Sequence, residues 1–95
     1  MMSESILCNE KVCFRCGTPF NLHKHHIYHT TANRKMSENF GCWIWLCARH
    51  HNMSDEGIHF DRAYDLEIKQ MCQEEWENRM GDRAAFIRTF GKSYL

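Results

Sequence analysis

The chain contains two donor pairs, Cys13-Phe14-Arg15-Cys16 and Cys47-Ala48-Arg49-His50, with the members of each pair three residues apart. Two donors at that separation can bite a single tetrahedral ion, and two such pairs about thirty residues apart are far less expected by accident than one. The pairs would close into a four-ligand knot that staples distant segments and fixes whatever lies between them. Between them lies the tandem His25-His26, and His51 follows directly after the second pair. The chain therefore reads as a metal-stapled scaffold displaying imidazoles.

Size makes such a staple useful. A chain of 95 residues is expected to form one domain whose core is modest and whose net stability is small, a shortfall that a bound zinc ion would offset. Six cysteines also raise the possibility of a disulfide framework. The start Met1-Met2-Ser3-Glu4-Ser5-Ile6-Leu7 lacks the basic beginning and long apolar run of a secretory signal, so a reducing, cytoplasmic compartment and metal ligation are expected instead. A redox role for Cys13-x-x-Cys16 finds no surrounding βαβ pattern. No stretch reaches the apolar length of a membrane span, and a soluble protein is expected.

The formal net charge is zero, but the charges are segregated. Residues 11 to 53 carry Lys11, Arg15, Lys24, Arg34, Lys35 and Arg49 against Glu38 alone. Residues 54 to 78 carry eight acidic side chains against Arg62 and Lys69, and residues 79 to 95 are basic again, with Arg79, Arg83, Arg88 and Lys92 against Asp82. A cationic face beside the histidines suits contact with phosphates; the competing reading is a solvated charge pattern without a partner.

Residues 1 to 11 are expected to form a loose lead-in, and 12 to 95 a single domain with a motif core over 13 to 59 and a helical tail over 60 to 95. Gly17 permits the positive-φ turn of a Cys-x-x-Cys knuckle, and Pro19 marks a further bend. His25 to His29 and Cys42 to Leu46 suit two short strands paired antiparallel. The polar connection from Thr30 to Gly41 is long for a hairpin and reads as an excursion loop over the site. A short helix is expected from Ala48 to Gly57. A longer one follows, capped by Asp61, running to Met80 and stopped by Gly81; a last one is capped by Asp82 and ended by Gly91. Phe60, Tyr64, Ile68, Met71, Cys72 and Trp76 form the apolar stripe of the long helix, and Phe86, Ile87 and Phe90 that of the last. These are core positions, with Cys72 an inert small hydrophobe and Cys8 a free thiol.

The knot is expected to use Cys13, Cys16, Cys47 and His50, with Cys42 as the alternative fourth ligand. His51 adjoins His50 and must lie near the knot. Asp55 sits one turn further along the same helix face, and His59 lies beyond the Gly57 turn. A second metal is expected to be gripped by His25, His51 and either His59 or Asp55.

A Cys-x-x-Cys knuckle, a His-His-Ile strand, a connection, then a strand ending in Leu-Cys-x-x-His-His resembles the HNH endonuclease family. The resemblance spans residues 13 to 59 and implies an α+β fold, a ββα-metal finger with a structural zinc knuckle, here followed by a C-terminal helical extension. Small stand-alone members are often encoded by phages and prophages, which implies a bacterial host cell. By resemblance, His25 and His51 ligate the catalytic metal; His59 is the further ligand that the reading of the residues adds. His26 is the general base, and Cys13, Cys16, Cys47 and His50 hold structural zinc. The family's middle asparagine, which orients the base, corresponds here to Cys42. Activity then requires Asn33 or Asn39 to supply the same hydrogen bond.

The implied reaction is metal-assisted hydrolysis of DNA phosphodiesters, read as double-stranded, leaving 5′-phosphate and 3′-hydroxyl ends. Neutral His26 would take the proton of an attacking water, a role suited to an imidazole with an ordinary pKa of about 6.5. Lys24, Arg34, Lys35 and Arg49 would clamp the backbone without reading sequence. Imidazole ligands favour zinc, nickel, cobalt or manganese, and Asp55 as ligand would ease the acceptance of magnesium or manganese. Two other readings compete: a catalytically silent zinc module that binds DNA or a phage protein, and a purely structural zinc domain.

Overall fold

A computed structural model describes residues 4 to 51 and 57 to 95. The elements run β1 (Leu22–His26), α1 (Thr31–Phe40), β2 (Trp43–Cys47), α2 (Ala48–His51), a 3-10 turn (Ile58–Phe60), α3 (Arg62–Arg79) and α4 (Arg83–Phe90). The result is a small α+β architecture in which one two-stranded antiparallel sheet is packed by helices. The register pairs Leu22 with Cys47, Lys24 with Trp45, His25 with Ile44 and His26 with Trp43. Because successive strand residues face opposite sides, His23 and His25 share one face with Ile44 and Leu46, whereas Lys24 and His26 share the other with Trp43 and Trp45. Among the described residues no helix is long and apolar enough to cross a membrane.

The connection between the strands departs from expectation. Thr31–Phe40 is a helix, not a loop. Its inward positions, Asn33, Met36, Ser37 and Phe40, follow helical spacing, but only Met36 and Phe40 are hydrophobic, so the periodic signal was faint. Ser37 compensates for the missing apolar area. Fully buried, its hydroxyl accepts from the Tyr28 amide at 3.2 Å and donates to the Tyr28 carbonyl at 3.0 Å, fastening α1 to the chain leaving β1. Gly41 ends the helix at φ 71, and a Cβ there would collide with the Glu4 carbonyl oxygen. The glycine thus lets residues 4 to 8 pack closely. Far from loose, this segment is tied by Ile6 N–H to the Gly41 carbonyl at 2.9 Å and by the Ser5 hydroxyl to the Trp43 carbonyl at 2.5 Å.

The strands lie up to three residues from where they were expected, as Leu22–His26 and Trp43–Cys47. Helix α3 has the expected Asp61 cap, whose carboxylate accepts from the Tyr64 amide at 3.0 Å, and Asp82 caps α4 through the Ala85 amide at 2.8 Å. The short helix is seen over Ala48–His51; its expected continuation and Asp55 lie outside the described residues.

Ile27, Tyr28, Ile44, Leu46, Ile58, Ile68, Cys72, Trp76, Phe86 and Phe90 make one buried cluster, each large apolar member contributing about 1.5–3 kcal/mol by leaving water. Two members of the α3 stripe stay outside it: Phe60 is 65% exposed and Met71 38%, as is Ile87 of α4 at 40%. The stripe is narrower because Gln73 occupies part of the buried face, its amide bonded to Ser93 and Glu77 and its carbonyl accepting from the Tyr94 amide. The C-terminal residues are thereby held against α3.

Candidate functional site

The knuckle is shaped by its backbone. Cys13 N–H donates to the Thr18 carbonyl at 2.8 Å, Gly17 N–H returns to the Cys13 carbonyl at 2.8 Å with φ 82, and Phe14 N–H docks on the Trp45 carbonyl at 2.7 Å. That last bond places Cys13 and Cys16 beside Cys47, the final residue of β2. One helical turn later comes His50.

Four donor atoms meet there: Cys13, Cys16, Cys47 and His50 form a group that can hold a metal ion. The Cys16 and Cys47 sulfurs are 3.8 Å apart, and His50 Nδ1 lies 3.7 Å from the Cys13 sulfur and 3.3 Å from that of Cys47. Metal–sulfur bonds of about 2.3 Å and metal–nitrogen bonds of about 2.0–2.1 Å at tetrahedral angles require sulfur–sulfur edges of about 3.8 Å and sulfur–nitrogen edges of about 3.5 Å. The spacing fits a tetrahedral ion and is far from the bonded length of a disulfide, about 2.04 Å. Burial raises the Cys13 pKa, but the amides of Cys47, Cys16 and Arg15, with His50, outweigh it and bring it down to about 6. Cys42, the alternative fourth ligand, is fully buried in the core and is not among the donors of this group. The adjacent Cys72 sulfur and burial push its thiol far up, the reverse of what a ligating thiolate needs.

The second group joins His25 from β1, His51 from the end of α2 and His59 from the 3-10 turn, with one nitrogen of each within 4.8 Å of the others. His51 Nε2 and His59 Nε2 are 3.2 Å apart, close to the edge of about 3.3 Å for two imidazoles on one tetrahedral ion. His25 is 2% exposed, and its Nε2 is buried without a hydrogen-bond partner among the described residues, an arrangement that costs about 1–3 kcal/mol unless another ligand takes the lone pair. Burial first, then the neighbouring imidazoles His51 and His59, lower its pKa to about 3. Burial with His59 and His23 lowers that of His51 to about 4. Both are therefore neutral at pH 7, the form that ligates.

These three line an open cleft of about 300 Å³ together with Lys24, His26, His29 and Arg34. His26 Nε2 lies 3.2 Å from Glu38 Oε1. Partial burial raises the Glu38 pKa, but His26 and Lys24 outweigh it and the net direction is down, so this carboxylate is ionised at neutral pH. Asn33, one of the two residues expected at His26, instead donates its amide to the Phe90 carbonyl at 2.8 Å; Asn39 is exposed on α1. Of the expected backbone clamps, Lys24 is turned to Glu38 at 3.2 Å and over the Trp43 ring at 4.3 Å. Arg34 lies at the cleft, and Lys35 and Arg49 are exposed on α1 and α2.

Two further histidines join the cluster. His23 Nδ1 is 3.0 Å from His51 Nδ1, and His29 Nε2 is 3.8 Å from Asp65 on α3, its ring 5.8 Å from that of His25. The i, i+2 alternation of His23 and His25 along β1 was a usable signal for the first. Nothing local marks the second, which depends on how α3 packs. Comparison with family models, curated proteins and solved structures returned no match to this chain.

Proposed function

We propose that this protein is a metal-dependent endonuclease of the HNH type, a ββα-metal finger that hydrolyses phosphodiester bonds of DNA. The observation that carries the reading is the convergence of His25, His51 and His59, with a desolvated His25 nitrogen unpartnered among the described residues, on a cleft that His26 also lines. The knuckle donors, three sulfurs and one imidazole at tetrahedral spacing, suit structural zinc. The three imidazoles suit zinc, nickel or manganese more than magnesium.

A cation held by His25, His51 and His59 would supply charge that stabilises the phosphoryl oxygens and the departing 3′ oxygen. The chain's own part is proton handling and orientation. His26 takes one proton from water as that oxygen bonds to phosphorus, the bond from phosphorus to the 3′ oxygen breaks, and solvent returns a proton to the leaving oxygen. Because Glu38 can only accept while ionised, His26 donates from Nε2 and keeps its free lone pair on Nδ1. Arg34, Lys35 and Arg49 supply cationic contacts for the backbone. The resemblance fits a phage or prophage protein acting in the cytoplasm of a bacterial host.

One observation favours the competing reading of a silent module that binds DNA or a phage protein: Cys42 stands where the family has its orienting asparagine and is buried in the core. Plasmid nicking with added magnesium, manganese, nickel or zinc decides. The parent is expected to convert supercoiled to open circular DNA, with His26→Ala losing at least about 10²-fold in rate while keeping its zinc. Equal nicking by both proteins rejects His26 as the base, and no nicking by the parent with any of the four ions rejects the enzyme.

A further inference from the structure

We propose that Glu38 is the positioning residue for His26, so that α1 supplies from its last turn the orienting partner that Cys42 cannot provide. The inference rests on the nuclease reading for its consequence but on geometry for its existence.

Carboxylate and imidazole are 3.2 Å apart, and the ionised acid fixes the direction of the bond: Nε2–H donates and Nδ1 is left basic. Glu38 is itself held. Lys24 Nζ lies 3.2 and 3.3 Å from its two oxygens, and Lys24 shares a sheet face with His26, two residues along β1, where the Trp43 ring supports the ammonium at 4.3 Å. The backbone of α1 is set by the neighbouring residue, since buried Ser37 grips both the amide and the carbonyl of Tyr28. Glu38 therefore reaches His26 from a helix that cannot slide along the sheet without breaking those bonds. Its oxygens are not among the donor atoms that converge with His25, His51 and His59, so its action falls on the base and not on the metal. The lysine that sequence assigned to the DNA backbone acts instead as the anchor of this pair. The helix read as an excursion loop is what delivers the carboxylate.

The test compares the parent protein with Glu38→Ala, Glu38→Gln and His26→Ala, each checked for zinc content and melting temperature. Glu38→Ala is expected to lower kcat for plasmid nicking by about 10²-fold with KM changed less than about threefold, and Glu38→Gln, which keeps an acceptor oxygen, to recover to within about tenfold of the parent. Independently of cleavage, proton NMR of the parent is expected to show a downfield, slowly exchanging ring N–H from His26. That signal is retained in Glu38→Gln and lost in Glu38→Ala and His26→Ala. Persistence of the signal in Glu38→Ala overturns the pairing whatever the nicking assay gives, and an unchanged kcat of a cutting enzyme in Glu38→Ala overturns positioning. Loss of zinc or a collapse in melting temperature in both Glu38 variants assigns the residue to folding alone and overturns positioning. A parent that shows the signal but never cuts DNA overturns the nuclease reading and leaves the Glu38–His26 pair standing.

Discussion

Replacing Cys16 by alanine tests whether the knuckle donors hold a structural metal. Cys13 and Cys47 are buried, at 2% and 7% exposure, so truncating either would confound metal loss with lost packing. Cys16 is exposed, yet its sulfur stands 3.8 Å from that of Cys47 and within the four-donor group. Structural zinc binding amounts to about 10–16 kcal/mol of apparent free energy at neutral pH, so an even share for one of four ligands is about 2.5–4 kcal/mol. A chain of this length has a total stability of about 5–14 kcal/mol. At about 4–8 °C per kcal/mol for a small domain, Cys16→Ala should melt roughly 10–30 °C below the zinc-loaded parent. Calorimetry in zinc buffer and again in chelator provides the assay. In chelator the two proteins should melt together within about 4 °C, because truncating an exposed side chain that binds nothing costs only about 0.5 kcal/mol. A drop of the same size in both buffers, or no drop in either, would refute the staple.

Acid should destabilise the metal-free protein from the histidine side. His25 and His51 have folded pKa values lowered to about 3 and about 4, so between those values and the unfolded value near 6.5 the unfolded chain binds more protons and stability falls as pH falls. His25 alone gives a loss of about 2 kcal/mol between pH 7 and pH 5, which urea melts should register and which His25→Gln should remove. Arg34→Ala, at the cleft rim, should weaken binding of the chain to duplex DNA about equally across sequences and reduce the slope of log affinity against log salt by about one; an unchanged slope would remove Arg34 from the interface.

The knuckle was legible because ligand spacing is a local property: Cys-x-x-Cys and Cys-x-x-His each bite within one turn. So were the caps of α3 and α4, where Asp61 and Asp82 precede helical runs. The tandem His25-His26 drew attention to β1, which carries His25 into the three-imidazole group. Alternation then distributed its members, His25 towards the other imidazoles and His26 towards Glu38. Helix α1 was missed because its inward face is held by a serine hydroxyl and an asparagine amide more than by apolar area, and hydrophobic periodicity is blind to both. The same error hid Glu38, whose carboxylate becomes relevant only once residues 31 to 40 are wound into a helix that brings it across the sheet. Phe60 and Met71 were assigned to the core by spacing alone. The buried Gln73 takes part of that face because it closes the C-terminal residues onto α3, a tertiary demand that the helix period does not encode.

The nuclease reading requires a second ion seated among His25, His51 and His59, apart from the ion that the knuckle donors can hold. Anomalous diffraction from crystals of the zinc-loaded protein soaked with manganese or nickel measures it directly. Two peaks are predicted, one enclosed by the Cys13, Cys16 and Cys47 sulfurs with His50 Nδ1, the other bound by the three imidazoles next to His26. A knuckle peak alone, with the cleft histidines bonded to one another and to water, would contradict it.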